Sequence, residues 1–228
     1  MAPGAGGRLL VPLYIHPSTD PAAWQAVIRH PERVYGVVLN VADGPGTAPE
    51  PAFTEVAARL RAAGVRMLGY VDIGYGRRPA RDIVRDMLRH RAWYRVDGVF
   101  LDQAPSGAAL VPRCRRLTRA ARRLGARCTV LNHGVCPHPG YARIADVLVT
   151  FEGTWSSYCR DAAPGWPSRH RPERFCHLVY GVPADAHERV ALMARERGAG
   201  VHCAVSHSGM NPWRSAPAVL TRRQESGA

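Results

Sequence analysis

Two carboxylates stand where the chain could do chemistry. Asp102 follows the apolar run Gly-Val-Phe-Leu (98–101), and Glu152 follows Val-Leu-Val-Thr-Phe (147–151), so each acid projects from the end of a strand-forming segment. Two carboxyls facing one cavity are the machinery of glycoside hydrolysis, at about 5–5.5 Å apart for retention and about 6.5–9.5 Å for inversion. The plainer alternative is that each acid pairs with an arginine or a loop amide. Polar residues close the other apolar runs as well: Tyr14 and His16, Asn40, Tyr70 and Asp72, Gln103, Asn132 and His133, Tyr180, and Ser206 and His207. An acid, amide or phenol at nearly every strand end predicts a binding site. The aromatics Tyr75, Trp155, Tyr158, Trp166 and Trp213 fall in the following loops, where exposed rings suit the apolar faces of pyranoses. The stretch Asn-Val-Ala-Asp-Gly-Pro-Gly (40–46) is either a plain turn or a backbone able to approach a ligand closely.

The elements that must carry these residues alternate from end to end. Apolar runs lie at 9–15, 34–41, 66–72, 98–103, 127–133, 146–152, 175–182 and 200–206. Amphipathic segments at 21–29, 51–63, 80–94, 108–124, 140–145 and 184–197 separate them, with a broken region after Glu152 and a short closing helix at 216–223. Asp20 before Pro21 reads as a helix start, and Gly64, Gly125 and Gly198 sit where helix-terminating glycines belong. Eight strands with intervening helices predict an α/β fold, a single (β/α)8 TIM-type barrel over residues 9–223, with a disordered tail at 1–8 and a C-terminal tail at 224–228. A doubly wound open sheet is the runner-up, but no G-x-G-x-x-G turn follows the first strand.

Composition narrows the function classes. Hydrophobic residues make up 46% of the 228 and charged residues 21%, a globular balance with no apolar run long enough to span a membrane. All 31 basic residues are arginine, giving a formal net charge of +13. The arginines between 113 and 127 spread around the solvent side of an apolar helical stripe, so they predict a solvated face and no nucleic-acid partner. The six cysteines are scattered without the density of a stapled secreted domain, and read as reduced, mostly buried thiols, with Cys128, Cys176 and Cys203 as barrel fillers. No zinc signature, P-loop or Gly-x-Ser-x-Gly elbow is present, so neither a metal nor a cofactor is expected. The first residues lack a signal-peptide pattern, which places the chain as given in the cytoplasm, with export by another route or a different start codon left open.

Taken together, Leu-Val-Pro-Leu-Tyr-Ile-His-Pro (10–17), Asn40 with Gly44-Pro45-Gly46, Gly69-Tyr70-Val71, Tyr75-Gly76-Arg77, Trp93-Tyr94 before Asp97-Gly98-Val99-Phe100-Leu101-Asp102, Asn132-x-Gly134 and Phe151-Glu152 resemble the spherulation-specific family 4 (spherulin-4-like) proteins. The resemblance implies a (β/α)8 barrel and, in some members, hydrolysis of α-1,4-linked N-acetylgalactosamine or galactosamine in exopolysaccharides. The family's strand-four acidic pair falls on Asp102 and Gln103, and its strand-six acid on Glu152. Here the pair is Asp-Gln, not Asp-Glu. By analogy with other barrel glycosidases, Asp102 is the expected nucleophile and Glu152 the acid/base. Donors such as Tyr70, Asn132 or His133 would keep Asp102 ionised. The expected substrate contacts are His16, Asn40, Tyr70, Asp72, Tyr75, Gln103, Asn132, His133, Trp155, Tyr180 and His207, on an amino-sugar polymer or oligomer. The Asp-Gln departure leaves a second expectation beside the hydrolase, a carbohydrate-binding barrel without turnover.

Overall fold

The structure is a computed structural model that describes residues 7–161 and 165–221. Eight parallel strands close into a barrel: β1 (Arg8–Pro12), β2 (Val34–Leu39), β3 (Met67–Asp72), β4 (Gly98–Asp102), β5 (Cys128–Asn132), β6 (Val147–Thr154), β7 (Phe175–Tyr180) and β8 (Val201–Ala204). They pair in chain order, and β8 closes onto β1 through Arg8↔Val201 and Leu9↔His202. The expected barrel is therefore the fold. Arg8 belongs to β1 and not to a tail, because its backbone completes that closing ladder. The tail residues 1–6 and 224–228 lie outside the described residues.

Helices α1 (Pro21–Arg29), α2 (Pro51–Ala62), α3 (Ala80–Arg89), α4 (Val111–Arg123), α5 (Trp155–Arg160), α6 (His187–Glu196) and α7 (Ala218–Thr221) complete the element set. The punctuation behaves as its chemistry requires. Asp20 accepts a hydrogen bond from the Ala23 amide at 2.9 Å to cap α1, and Gly64, Gly125 and Gly198 take φ of 73°, 87° and 80°. The segment after α3 winds into a π-helical turn, His90–Tyr94, and the expected helix at 140–145 is a 3-10 turn, Pro139–Arg143.

Strand alternation sorts side chains between two compartments. The inward set includes Leu10, Val38, Leu68, Tyr70, Phe100, Val130, Val149 and Leu178, with Cys128, Cys176 and Cys203 as small fillers. The outward set packs beneath the helices in two large clusters. Cys114 is also buried, Cys136 is half-buried and Cys159 exposed, and none of the six is disulfide-bonded.

One outward contact bears directly on the site. His90 is fully buried at the start of the π turn and fills the space left by the absent side chain of Gly69, whose added Cβ would lie 2.5 Å from the His90 Cγ. Its Nε2 sits 2.7 Å from the Tyr70 carbonyl, so the ring pins the strand residue beside it. Gly69→Ala overpacks this contact; a loss of about 1–3 kcal/mol is expected, read as a drop of roughly 2–12 °C in the melting temperature.

Burial drives four imidazoles below the ordinary histidine value of 6.5, His90, His133 and His202 to about 4 and His177 to about 3. At these four sites the unfolded chain binds more protons than the folded one between about pH 6.5 and 4, which outnumbers the opposite contribution of the two raised carboxyls of Asp102 and Glu152, so stability falls as pH falls across that window. Melting temperatures measured from pH 7.5 down to 4 should decline steadily. A flat profile would contradict neutral burial of these rings.

Candidate active site

Strand ends β1 to β7 and the loop after β8 enclose a cavity of about 610 Å³ at the C-terminal mouth of the barrel, the end where barrel enzymes place their sites. Asp102 and Glu152 both line it. Between them stands Asn132, the last residue of β5. Its Oδ1 accepts the Gly134 amide at 3.1 Å, which leaves the NH2 group turned toward the acids. That one nitrogen donates to Asp102 Oδ1 at 2.7 Å and to Glu152 Oε2 at 2.5 Å. The two acceptor oxygens are therefore at most 5.2 Å apart, the sum of the two bonds.

Glu152 reaches the cavity through an irregularity. On β6, Val147 and Val149 face inward, so strict alternation would send Phe151 inward and Glu152 out under the helices. The pairing with β7 skips a residue: Val149↔Cys176 is followed by Phe151↔His177 and Glu152↔Leu178. Thr150 is the extra residue of a β-bulge, and it reverses the faces beyond it. Phe151 then packs outward against Tyr158, with ring centroids 4.7 Å apart, and Glu152 turns into the barrel mouth.

Each acid has its own further donors. The Tyr70 hydroxyl donates to Asp102 Oδ2 at 2.7 Å, and the Gln103 backbone amide also serves Asp102. The Trp213 indole donates to Glu152 Oε1 at 3.0 Å. Trp213 is fixed by stitching between the loop after β8 and the end of β1: the Tyr14 amide donates to the Trp213 carbonyl at 2.7 Å, and the Asn211 side-chain amide donates to the Tyr14 carbonyl at 2.9 Å.

Burial raises both carboxyls above their ordinary values. The hydrogen bonds from Tyr70, the Gln103 amide and Asn132 oppose this at Asp102, while Asp72 on the neighbouring strand adds to it. At Glu152, Asn132 and Trp213 oppose burial and the charge of Asp102 adds to it. The donors thus offset desolvation at Asp102 without pulling it below the usual range. Two like charges this close favour a single shared proton, and Asp102, with three donors to the two on Glu152, is the better-supported anion.

Of the expected substrate contacts, the cavity gathers His16, Asn40, Tyr70, Asn132 and Tyr180. It does not gather the other six. Asp72 caps its own turn, accepting the Gly74 amide at 2.6 Å. Tyr75 is 52% exposed in a left-handed conformation beyond β3. Gln103 adopts φ 51° immediately after Asp102 and is absent from the cavity wall; its carbonyl receives the Tyr75 amide at 2.7 Å. His133 follows inward-facing Asn132, so alternation turns it under the helices, where it is buried against Tyr141 with Nδ1 3.0 Å from the Pro105 carbonyl. It supplies nothing to Asp102. Trp155 begins α5 and packs beside Tyr158, and the His207 carbonyl accepts the Gly181 amide.

Of the other loop aromatics, Tyr158 is fully buried with its hydroxyl 2.8 Å from His177 Nδ1, and Trp166 packs on Phe175. The site also uses residues that the strand-end reading passed over as contacts: Tyr14, Asp43, Phe53 and the segment Gly209–Trp213. Tyr14 is two residues before His16 at a recognised strand end. The partnership of Trp213 with Glu152 has no local sequence signal.

This is a (β/α)8 barrel with a paired-acid site at the C-terminal mouth. Residues 8–223 match the sequence profile of spherulation-specific family 4, and the chain belongs to that family. Spherulin-4 of Physarum polycephalum is 32% identical over 155 residues, which cover 66% of this chain and 46% of that protein, so the chain spans less than half the length of this relative. The crystal structure of Aspergillus clavatus Sph3 in complex with GalNAc superposes with a TM-score of 0.83 at 23% identity, covering 96% of each chain. A chitinase of Rhizomucor miehei, RmChi1, gives a TM-score of 0.55 at 11% identity over 93% of this chain and 99% of its own.

The indole N–H of Trp213 stabilises the Glu152 anion. Trp213→Phe keeps a ring there and removes that donor, so the Glu152 carboxyl should titrate at higher pH than in the wild type, as read by carboxyl-carbon NMR. An unchanged titration would show that the contact carries no electrostatic weight.

Proposed function

We propose that the chain is a glycoside hydrolase acting on amino-sugar polysaccharide, of the α-1,4-linked N-acetylgalactosamine or galactosamine type, with Asp102 as nucleophile and Glu152 as acid/base. The observation that carries this reading is the Asn132 amide donating to both carboxyls inside one open cavity. The bonded oxygens, at most 5.2 Å apart, are closer than the about 6.5–9.5 Å that leaves room for the water of an inverting pair, which favours retention. The GalNAc in the crystal structure of Sph3, a protein of the same fold, supports the choice of sugar.

In this mechanism Glu152 carries the shared proton, because burial and the adjacent charge of Asp102 raise it. It donates that proton to the glycosidic oxygen as the bond to C1 breaks. Asp102, held by Tyr70, Asn132 and the Gln103 amide, attacks C1 and forms a covalent glycosyl ester. Water then enters, Glu152 accepts its proton, and attack at C1 releases Asp102 with the anomeric configuration retained. The Asn132 amide keeps both carboxyls oriented through each proton transfer.

The carbohydrate-binding barrel without turnover drew its support from Gln103 in place of an acid. That residue lies off the cavity wall, so the two groove carboxylates of the proposed mechanism remain in place. Asp102→Asn and Glu152→Gln are each expected to lower kcat on α-1,4-linked galactosamine-type oligomers by about 10²–10⁴-fold, with oligomer binding retained. Reducing-end release and NMR of the first-formed anomer check both the roles and the stereochemistry. Hydrolysis unchanged in both variants would overturn the assignment, and binding without hydrolysis by the wild type would select the non-catalytic barrel.

A further inference from the structure

Most polar side chains on the groove wall already have a protein partner, which leaves few to recognise a sugar. His16 faces Glu50, the Asn40 Oδ1 accepts the Gly44 amide, and Tyr70, Asn132 and Trp213 all donate to the two acids. Asn211 is committed at both ends, accepting the Trp213 amide at 3.1 Å and donating to the Tyr14 carbonyl. Tyr14 is different. Its ring lines the groove half-buried, and its hydroxyl makes no hydrogen bond among the described residues and is not sealed in the interior.

The alternation that turns Leu10 and Pro12 into the barrel carries Tyr14 the same way. The residue is then fixed from several sides. Its amide donates to the Trp213 carbonyl at 2.7 Å and its carbonyl accepts the Asn211 side chain at 2.9 Å, so neither backbone group is free to turn. Its ring meets Tyr70 edge-on, with centroids 5.6 Å apart and planes at 82°. Tyr70 holds Asp102 and Trp213 holds Glu152, so two neighbours of Tyr14 are residues that grip the acids. Burial raises the Tyr14 phenol, and the charges of Asp102 and then Glu152 raise it further. Both acids therefore lie within its electrostatic reach, and the hydroxyl keeps its proton. It is a donor, neither a base nor a nucleophile.

We propose that the Tyr14 hydroxyl is a substrate-contacting donor at the reacting sugar, giving a hydrogen bond to an exocyclic oxygen of the ring on which Asp102 and Glu152 act. The inference deepens the hydrolase reading and rests on it for placing that sugar. A donor aimed at the ring oxygen would oppose the positive charge that develops there as the bond to C1 breaks, so an exocyclic acceptor is the productive partner. Tyr70, Asn132 and Trp213 serve the acids, whereas Tyr14 serves the sugar.

Tyr14→Phe tests this, because it keeps the ring, the edge contact and both backbone bonds and removes only the donor. The probe is an α-1,4-linked N-acetylgalactosamine tetrasaccharide. Its affinity, read by calorimetry in the wild type and in a Glu152→Gln background, is expected to fall about 3–10-fold on removal of the hydroxyl. The kcat/KM of the otherwise wild-type enzyme should fall about 10–100-fold, with kcat falling too, since hydrogen bonds to the sugar strengthen in the transition state. The melting temperature should not move. Uniformly 3-deoxy, 6-deoxy and de-N-acetylated tetrasaccharides then locate the acceptor: the effect of Tyr14→Phe should vanish on the one that lacks the contacted oxygen and persist on the others.

Unchanged affinity and kcat/KM in Tyr14→Phe, with or without a change in melting temperature, would overturn the proposal, as would an effect that persists undiminished on all three analogues. A loss of affinity in Tyr14→Phe on a protein that binds the tetrasaccharide without hydrolysing it would leave the contact standing and remove the catalytic assignment instead.

Discussion

The site depends on one side-chain amide shared between two buried acids. Carboxyls enclosed at the mouth of a barrel lose solvation and repel each other, and each favours its proton as a result. The Asn132 NH2 group answers both at once, with a hydrogen to Asp102 and a hydrogen to Glu152. Its own oxygen is committed to the Gly134 amide, so the orientation of the amide is dictated and not averaged. A hydrogen bond to a charged group contributes about 1.5–3 kcal/mol, which opposes the desolvation at each acid without cancelling it, so both carboxyls stay raised. The arrangement therefore holds one proton between two acids without holding a full charge on both.

The barrel supplies this geometry by placing the three residues on β4, β5 and β6. Asp102 and Asn132 end regular strands whose alternation turns them inward. Glu152 lies near the end of a strand whose alternation would have turned it outward, and the extra residue at Thr150 corrects the parity. The same bulge gives Phe151 a place against Tyr158, so one irregularity serves both the outer packing and the inner site. Support also arrives from the far end of the chain, where the loop after β8 is tied to Tyr14 and brings the Trp213 indole to Glu152. From the other side, His90 fills the gap over Gly69 and fixes the Tyr70 carbonyl, and the Tyr70 hydroxyl in turn holds Asp102.

Among the described residues, the groove of this strongly basic protein has no arginine on its wall. Arginine is a long side chain that gains by solvation, and the helical faces outside the barrel provide that. The polar positions of the mouth are mainly acids, amides and phenols, set among apolar residues such as Ile15, Phe53 and Leu178. A mean property such as net charge consequently says little about the ligand, and the local sign of the cavity says more.

Periodicity alone determined the eight strands, the intervening helices and hence the closed barrel, because alternation of apolar and amphipathic runs is a local property that survives without knowledge of partners. It also put Asp102, Asn132 and Glu152 at strand ends, and the motifs around them pointed to the family. Tertiary structure decided which polar strand-end residues share a cavity. His133 lies one residue past Asn132 and faces the helices, and Gln103 lies one past Asp102 in a left-handed turn, since facing is set by single-residue parity that sequence spacing does not resolve. The bulge at Thr150 and the reach of Trp213 across the barrel to Glu152 are likewise relations between distant segments. Such contacts are fixed by pairing register and closure, and no local pattern encodes either.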